Sequence, residues 1–259
     1  MLSNALSLPS IAAIKPITND QCENMQAHKV ITTKNPVPCR RLRTVTFPLI
    51  NFRGQVDKGQ VVVLDAVAER TQIIFDTLFQ KKFSINKALL METYKGDDNA
   101  SMNDNNTSAF NGRPRTGGSD WSLHAYGVAI DVNPLQNPYV SFDNLGHVSI
   151  LPALAAKQSI NRLNYRPTKD FRVGMAETII DIFAENGFIN WGGYWNYPID
   201  YQHFEIGSRQ FVKKLLSLTR SQAQQVFDEY AEAYSDCITK TSLCPHAAAR
   251  AACVAKIMQ

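Results

Sequence analysis

The stretch Ser122-Leu123-His124-Ala125-Tyr126-Gly127-Val128-Ala129-Ile130-Asp131 restricts the fold more than any other part of this 259-residue chain. It sets a histidine and an aspartate seven residues apart with a glycine between them. On one helix the pair would stand two turns apart, too far to share an ion easily. A turn at Gly127 that leads into a short strand over Val128–Val132 folds the two back together. On that strand Ala129 and Asp131 share one face, and Ile130 and Val132 take the other. One face then carries the acid while the other goes to the core. A second segment, Asp200-Tyr201-Gln202-His203-Phe204-Glu205, offers a further imidazole on a strand over Tyr201–Ile206. Two imidazoles and a carboxylate suit zinc, and three protein ligands that leave one position open are what a hydrolytic metal centre needs.

Asp200 stands three residues before His203. If the chain turns between them, its carboxylate reaches a water on the metal without itself binding the metal. It is therefore the candidate base that takes a proton from the attacking water and later delivers it to the leaving amine. Glu205 shares a strand face with His203 and is placed to hold that ligand from behind, or to serve as the base in reserve. His28, His147 and His246 have no such company and read as structural or solvated. Ser122 reads as a turn hydroxyl, because no Ser-His-acid set exists apart from the metal residues.

The rest of the chain supplies elements around these two segments. Leu42–Phe52 and Val61–Leu64 read as strands, with Gly54 and Gly59 as turns. Asp65–Gln80 carries apolar residues at three- and four-residue intervals and predicts a helix. Lys95–Asp120 is dense in Asn, Asp, Ser and Gly, the chemistry of a loop; one this long in a compact domain is either disordered or functional. Residues 134–150 read as loop. Gly174–Asn186 predicts an amphipathic helix closed by Gly187. Trp191–Trp195 reads as a glycine-hinged aromatic turn, whose rings either line a peptide or sugar groove or pack in the core. Gln210–Ala233 and Ala247–Met258 read as helices.

Bulk properties exclude some classes. Lys and Arg outnumber Asp and Glu by 27 to 23, a net charge of +4 that suits a polyanionic cell wall and is too weak to argue nucleic-acid binding. No run of about 18 apolar residues exists, so no membrane span is expected. The first fourteen residues, MLSNALSLPSIAAI, lack a basic start and a long apolar core and make a poor secretory signal.

SLHAYGVAIDVNPLQNPY and IDYQHFE resemble the zinc peptidases that include D-alanyl-D-alanine carboxypeptidases and the L-alanyl-D-glutamate endopeptidases of phage lysins. Their motif runs Ser-x-His-x-x-Gly-x-Ala-x-Asp, followed later by Asp/Glu-x-x-His. The likeness extends upstream through NNTSAFNGR and downstream through WGGYW, over roughly residues 41–208. It implies that His124, Asp131 and His203 bind Zn2+, that Asp200 is the base, and that Arg113 holds a substrate carboxylate, with Arg115 as the fallback. An Asp rather than a Glu as base is nearer the endopeptidase branch. Relatives carry Cys where Gly112 stands and Asp where Tyr194 stands, departures that touch the substrate pocket and not the metal.

The expected fold is α+β, a small and mainly antiparallel sheet flanked by helices, with zinc on the open sheet face and extra C-terminal helices. The expected division is an N-terminal arm over 1–40, a peptidase domain over 41–208 and a helical extension over 209–259. The substrate implied is the stem peptide of peptidoglycan, cut either at an internal L-alanyl-D-glutamate bond or at a terminal D-Ala, in an extracytoplasmic setting. The alternative is a catalytically silent, zinc-containing module that binds the cell wall. If the chain is exported, Cys22 pairs with Cys39, and two of Cys237, Cys244 and Cys253 pair with each other. In a reducing compartment all five would be free, buried thiols.

Overall fold

The structure is a computed structural model that describes residues 12–115, 118–242 and 246–258. Most of the stretch read against a secretory signal, and Cys244, lie outside the described residues. The first half runs β1 (Ala13–Pro16), α1 (Asn19–Ala27), β2 (Leu42–Ile50), β3 (Val56–Leu64), α2 (Ala68–Gln80) and α3 (Asp98–Asn103). The second half runs β4 (Ala129–Asp131), β5 (Tyr139–Phe142), β6 (Val148–Leu151), α4 (Ala155–Gln158), α5 (Ile180–Glu185), β7 (Asn190–Trp191), β8 (Ile199–Asp200) and β9 (His203–Glu205). Three helices follow: α6 (Arg209–Ser217), α7 (Arg220–Lys240) and α8 (His246–Ile257). Among the described residues every pairing between these strands is antiparallel, and they form three three-stranded sheets, β1-β2-β3, β4-β9-β7 and β6-β5-β8, with helices packed around them.

The first sheet is the frame. β2 and β3 pair from Leu42–Leu64 to Ile50–Val56, and the Asn51 side chain closes their turn by accepting the amides of Arg53 and Gln55. Gly54 takes its φ of 75° in that turn. Gly59 does not mark a turn. It lies inside β3, where any Cβ would run into the ring of Phe47. α2 buries Thr71, Ile74, Phe75 and Leu78 on one face, as its spacing predicts, and Phe75 stacks on Phe47 with ring centroids 3.6 Å apart.

Four other expectations are corrected. Residues 134–150 are not loop: β5 and β6 make a hairpin there, unread because Tyr139–Phe142 and Val148–Leu151 are short and only half-buried. Gln210–Ala233 is two helices. Leu218 turns extended, and Thr219 then starts α7 with a capping box to Gln222, so the apolar period continues across a break. Gly174–Asn186 is helical only in parts, Ala176–Thr178 and Ile180–Glu185, yet Met175, Ile179, Ile182 and Phe183 are all buried as expected. Lys95–Asp120 is not loop throughout: α3 lies within it, and Asn105, Asn106, Thr107, Ser108 and Asn111 are buried. Its side chains replace strand hydrogen bonds, Asn106 accepting the Leu89 amide at 2.7 Å and donating to the Leu89 carbonyl at 3.1 Å.

This stretch joins the sheets. Phe110 donates to Val62 of β3, while Ser108 and Asp131 of β4 exchange both backbone hydrogen bonds, at 3.0 and 2.8 Å. The terminal segments share the core of the remainder. β1 extends the first sheet, Val30, Ile31 and Val37 are buried in the main cluster, and Val212, Leu215, Ala223 and Phe227 join it from the C-terminal side. Disulfides Cys22–Cys39 and Cys237–Cys253 close the two ends, giving the paired state of the expectation.

Candidate metal centre

Each of three side chains reaches one point by a different local device. Ser122 caps a single 3-10 turn, Leu123–Tyr126, by accepting the His124 amide. Gly127 ends that turn at φ 69°, and a Cβ there would meet the backbone nitrogen of Leu64 at 2.6 Å. Its carbonyl accepts that same Leu64 N–H at 2.8 Å. Only glycine satisfies both the left-handed backbone and the close approach. The chain then enters β4, where Asp131 lies directly across the ladder from His203 of β9. Cross-strand neighbours on one face stand close enough to share a ligand.

The three donors are tightly gathered and buried. His124 Nε2 lies 3.1 Å from His203 Nδ1 and 3.2 Å from Asp131 Oδ2, and His203 Nδ1 lies 3.0 Å from Asp131 Oδ1. The side chains are 4 to 8% exposed. A tetrahedral zinc with bonds of about 2.0–2.1 Å has donor separations near ~3.3 Å, so the group fits such an ion closely.

Tautomers sharpen the fit. His124 Nδ1 donates to the Ala109 carbonyl at 2.6 Å, which turns the lone pair of Nε2 inward. His203 Nε2 donates to Glu205 Oε2 at 2.9 Å, which turns Nδ1 inward. Two imidazole lone pairs and a carboxylate then face one another, an arrangement that needs a cation or a proton between them. The titration behaviour says the same. Burial raises the Asp131 carboxyl, but the charges and hydrogen bonds of His124 and His203 outweigh it and hold Asp131 well below the usual carboxylate range. Burial disfavours a charged His203, yet hydrogen bonds to Asp131 and Glu205 raise its pKa well above the ordinary value.

Asp200 ends β8, beside this group. Burial first, and the nearby Asp131 charge second, push its pKa up to about 7. Its Oδ1 is buried without a hydrogen-bond partner. Gly192 packs against it so closely that a Cβ would strike the Asp200 carbonyl, which explains a glycine in the aromatic turn. Arg113 donates to Asp98 of α3 at 2.6 Å and to the Pro114 carbonyl at 3.2 Å. Arg115 is exposed and bonds through its backbone to Asp120 and Gly118.

Some neighbours escaped sequence reading. Tyr139 pairs with Asp200 across β5 and β8. Burial and then the Asp200 charge raise its hydroxyl, while the Arg113 charge acts the other way, so acid and guanidinium both lie near this phenol. Ala109 contributes only a carbonyl, which no residue type advertises. Asn190 donates to Glu205 Oε1 at 2.7 Å and accepts from Trp195 Nε1 at 3.2 Å, and the Trp195 ring lies 5.3 Å from that of His203. Trp191 is core, its indole N–H donating to the Tyr201 carbonyl, whereas Tyr194 is exposed. Gly112 lacks room for any side chain, because a Cβ would press on the Val30 carbonyl and Asn35. His28 and His147 bond locally to Asn24 and Asp143, and His246 pairs with Asp181 of α5, all away from the centre.

Residues 116–206 match a protein-family model described as D-alanyl-D-alanine carboxypeptidase. No curated protein and no solved structure matches the chain. The matched stretch contains His124, Asp131, Asp200 and His203 and begins just after Arg113. The segment that builds this centre is thus similar to the D-alanyl-D-alanine carboxypeptidase family of peptidases.

Proposed function

We propose that this chain is a zinc-dependent peptidase that hydrolyses an amide bond in the stem peptide of peptidoglycan, outside the cytoplasm. The observation that carries the reading is the set of three inward-facing donors, His124 Nε2, His203 Nδ1 and Asp131, with the Asp200 carboxylate, whose Oδ1 has no hydrogen-bond partner, beside them. The two disulfides support an oxidising compartment.

When bound there, zinc supplies the Lewis acid that lowers the pKa of water and polarises the scissile carbonyl. The chain supplies the rest. Asp200 takes the proton of the attacking water and returns it to the leaving amine. Glu205 and the Ala109 carbonyl fix the two imidazoles so that each presents a lone pair. Arg113 holds a substrate carboxylate through a planar pair of N–H donors, the substrate taking the place of Asp98.

The test is to incubate the purified protein with intact peptidoglycan, with and without a chelator, beside an Asp200→Ala variant, and to identify released fragments by mass spectrometry. Fragments that need metal and vanish in the variant support the proposal. Free D-Ala then names a carboxypeptidase, and stem peptides freed from L-Ala name the endopeptidase. Stoichiometric zinc without any release would point to a silent wall-binding module, and no zinc at all would overturn the reading.

A further inference from the structure

The positive excess of the chain is concentrated in one place. Between Lys157 and Val173 stand five basic residues, Lys157, Arg162, Arg166, Lys169 and Arg172, against the single acid Asp170. The stretch therefore carries +4, equal to the net charge of the whole chain. Exposed apolar side chains gather there too. Of thirteen large hydrophobic residues exposed among the described residues, five lie in this stretch, Ile160, Leu163, Tyr165, Phe171 and Val173.

The segment is held as a shaped protrusion. Arg162 is its rivet, donating to both oxygens of Glu177 at 2.6 Å and to the Asn137 side chain at 2.9 Å, with its guanidinium 4.4 Å from the centre of the Tyr201 ring. At the other end the Gly174 carbonyl accepts from Asn133 and Asn137. Between these anchors Arg166 and Lys169 face each other as an antiparallel bridge, and the Arg172 guanidinium donates to the Asn161 carbonyl. The rings of Tyr165 and Phe171 meet at 4.9 Å. Tyr165 is 81% exposed and Leu163 65%, and Val173 is exposed beside them. Among the described residues no carboxylate pairs with Arg166, Lys169 or Arg172. Burial and then the charges of Arg166 and Arg162 lower the Arg172 pKa, so these cations repel one another in the free protein.

Folding alone gives no reason to collect unpaired cations and bare leucine, tyrosine and phenylalanine on one protrusion. A partner that is anionic at its surface and apolar just beneath it satisfies both sets at once. We infer that the 157–173 protrusion docks on an anionic phospholipid surface, with Arg166, Lys169 and Arg172 at the headgroup phosphates and Leu163, Tyr165 and Phe171 at the acyl boundary. A hydrated glycan would answer the cations but leave Leu163 and Val173 in water. Arg162 fastens the protrusion to Tyr201, between Asp200 and His203, so docking would set the metal centre close to the membrane face. The inference does not depend on the peptidase reading.

The test is co-sedimentation of the full chain, with and without chelator, with vesicles of pure phosphatidylcholine or with about a quarter phosphatidylglycerol. Binding is expected only to the anionic vesicles, unaffected by the chelator. The triple variant Arg166→Ser, Lys169→Ser, Arg172→Ser weakens it by about a hundredfold, from the usual contribution of a cation near such a surface. The variant Leu163→Ser, Tyr165→Ser, Phe171→Ser binds weakly and is stripped off by salt that leaves the parent protein bound. Melting curves confirm that both variants are folded, and the single change Lys169→Glu serves if either is not. A parent protein that stays in the supernatant, or variants that bind as it does, overturns the inference. Patch-dependent sedimentation with purified peptidoglycan and none with vesicles overturns it as well, and assigns the patch to wall glycan.

Discussion

His203 stands between two carboxylates, Asp131 at Nδ1 and Glu205 at Nε2, and its raised pKa means that proton and metal compete for Nδ1. The sign follows directly. As pH falls through the raised value the protonated form wins, so zinc affinity weakens with acidification and binding releases a proton. Calorimetric zinc titrations in buffers of different ionisation enthalpy should show that release; a pH-independent affinity would contradict it. Glu205→Gln removes the charged acceptor behind His203 and should cost about 10- to 100-fold in metal affinity, measured by competition with a chelator. Asp200 gives the second pH effect. As the proposed base it works only when ionised, so kcat/KM should fall as pH drops below its pKa. Burial and Asp131 put that at about 7 without metal, and a bound dication pulls it lower. The acid limb should therefore lie between the ordinary carboxylate range and about 7, and Asp200→Asn should abolish turnover while zinc still binds. These residues were legible in the sequence because few side chain types can ligate zinc or carry a proton. Ala109, Tyr139 and Asp98 were not, because one acts through a carbonyl and the others matter only through where the fold brings them.

At the scale of elements, the 3-10 turn Leu123–Tyr126 decides whether His124 reaches the ladder pair Asp131–His203. Gly127→Ala would force a Cβ against the Leu64 nitrogen in a left-handed backbone. The backbone term alone is about 1–2 kcal/mol, and the contact adds to it. The variant should melt several degrees lower and bind zinc more weakly, as read by differential scanning calorimetry and metal titration. An unchanged melting temperature would mean that the turn yields freely. The Gly127 turn and the strand after it were readable, since a glycine before an alternating run signals both. The β5–β6 hairpin and the α6–α7 break were not, because each depends on burial or capping that a period count does not weigh. Cys237–Cys253 joins α7 to α8 across a sequence separation of 16. A closed loop of that size stabilises by roughly 3 kcal/mol, so Cys237→Ser with Cys253→Ser should lower the denaturant midpoint by a corresponding amount. α8 frays first, and hydrogen exchange over 246–257 would locate the loss.

The molecule as a whole raises the question of what the terminal segments do for the centre. The family match ends at residue 206, and by sequence alone the helices beyond 208 read as an appendage. Their packing argues for more. Arg41 forms a bidentate pair with buried Asp65, at 2.7 and 3.1 Å, and spends its remaining donors on the carbonyls of Leu215, Leu216 and Leu218. Phe227 packs edge-on to Phe188 and fills the space over Gly187, where a Cβ would strike its ring. Phe188 in turn meets Phe183, which stacks on Phe204 of β9 at 4.0 Å, one residue from His203. Removing 209–259 would leave the Asp65 pair short of partners and expose that aromatic stack from behind. Large buried aromatics each contribute about 3–5 kcal/mol when lost, against a total stability of about 5–15 kcal/mol. A chain ended at residue 208 should therefore show no cooperative melting and no stoichiometric zinc, whereas the full chain shows both. If the shortened chain melts cooperatively and binds zinc as the full one does, the last three helices are an addition to a finished domain, and the packing of Phe227 on Phe188 is stabilising without being required.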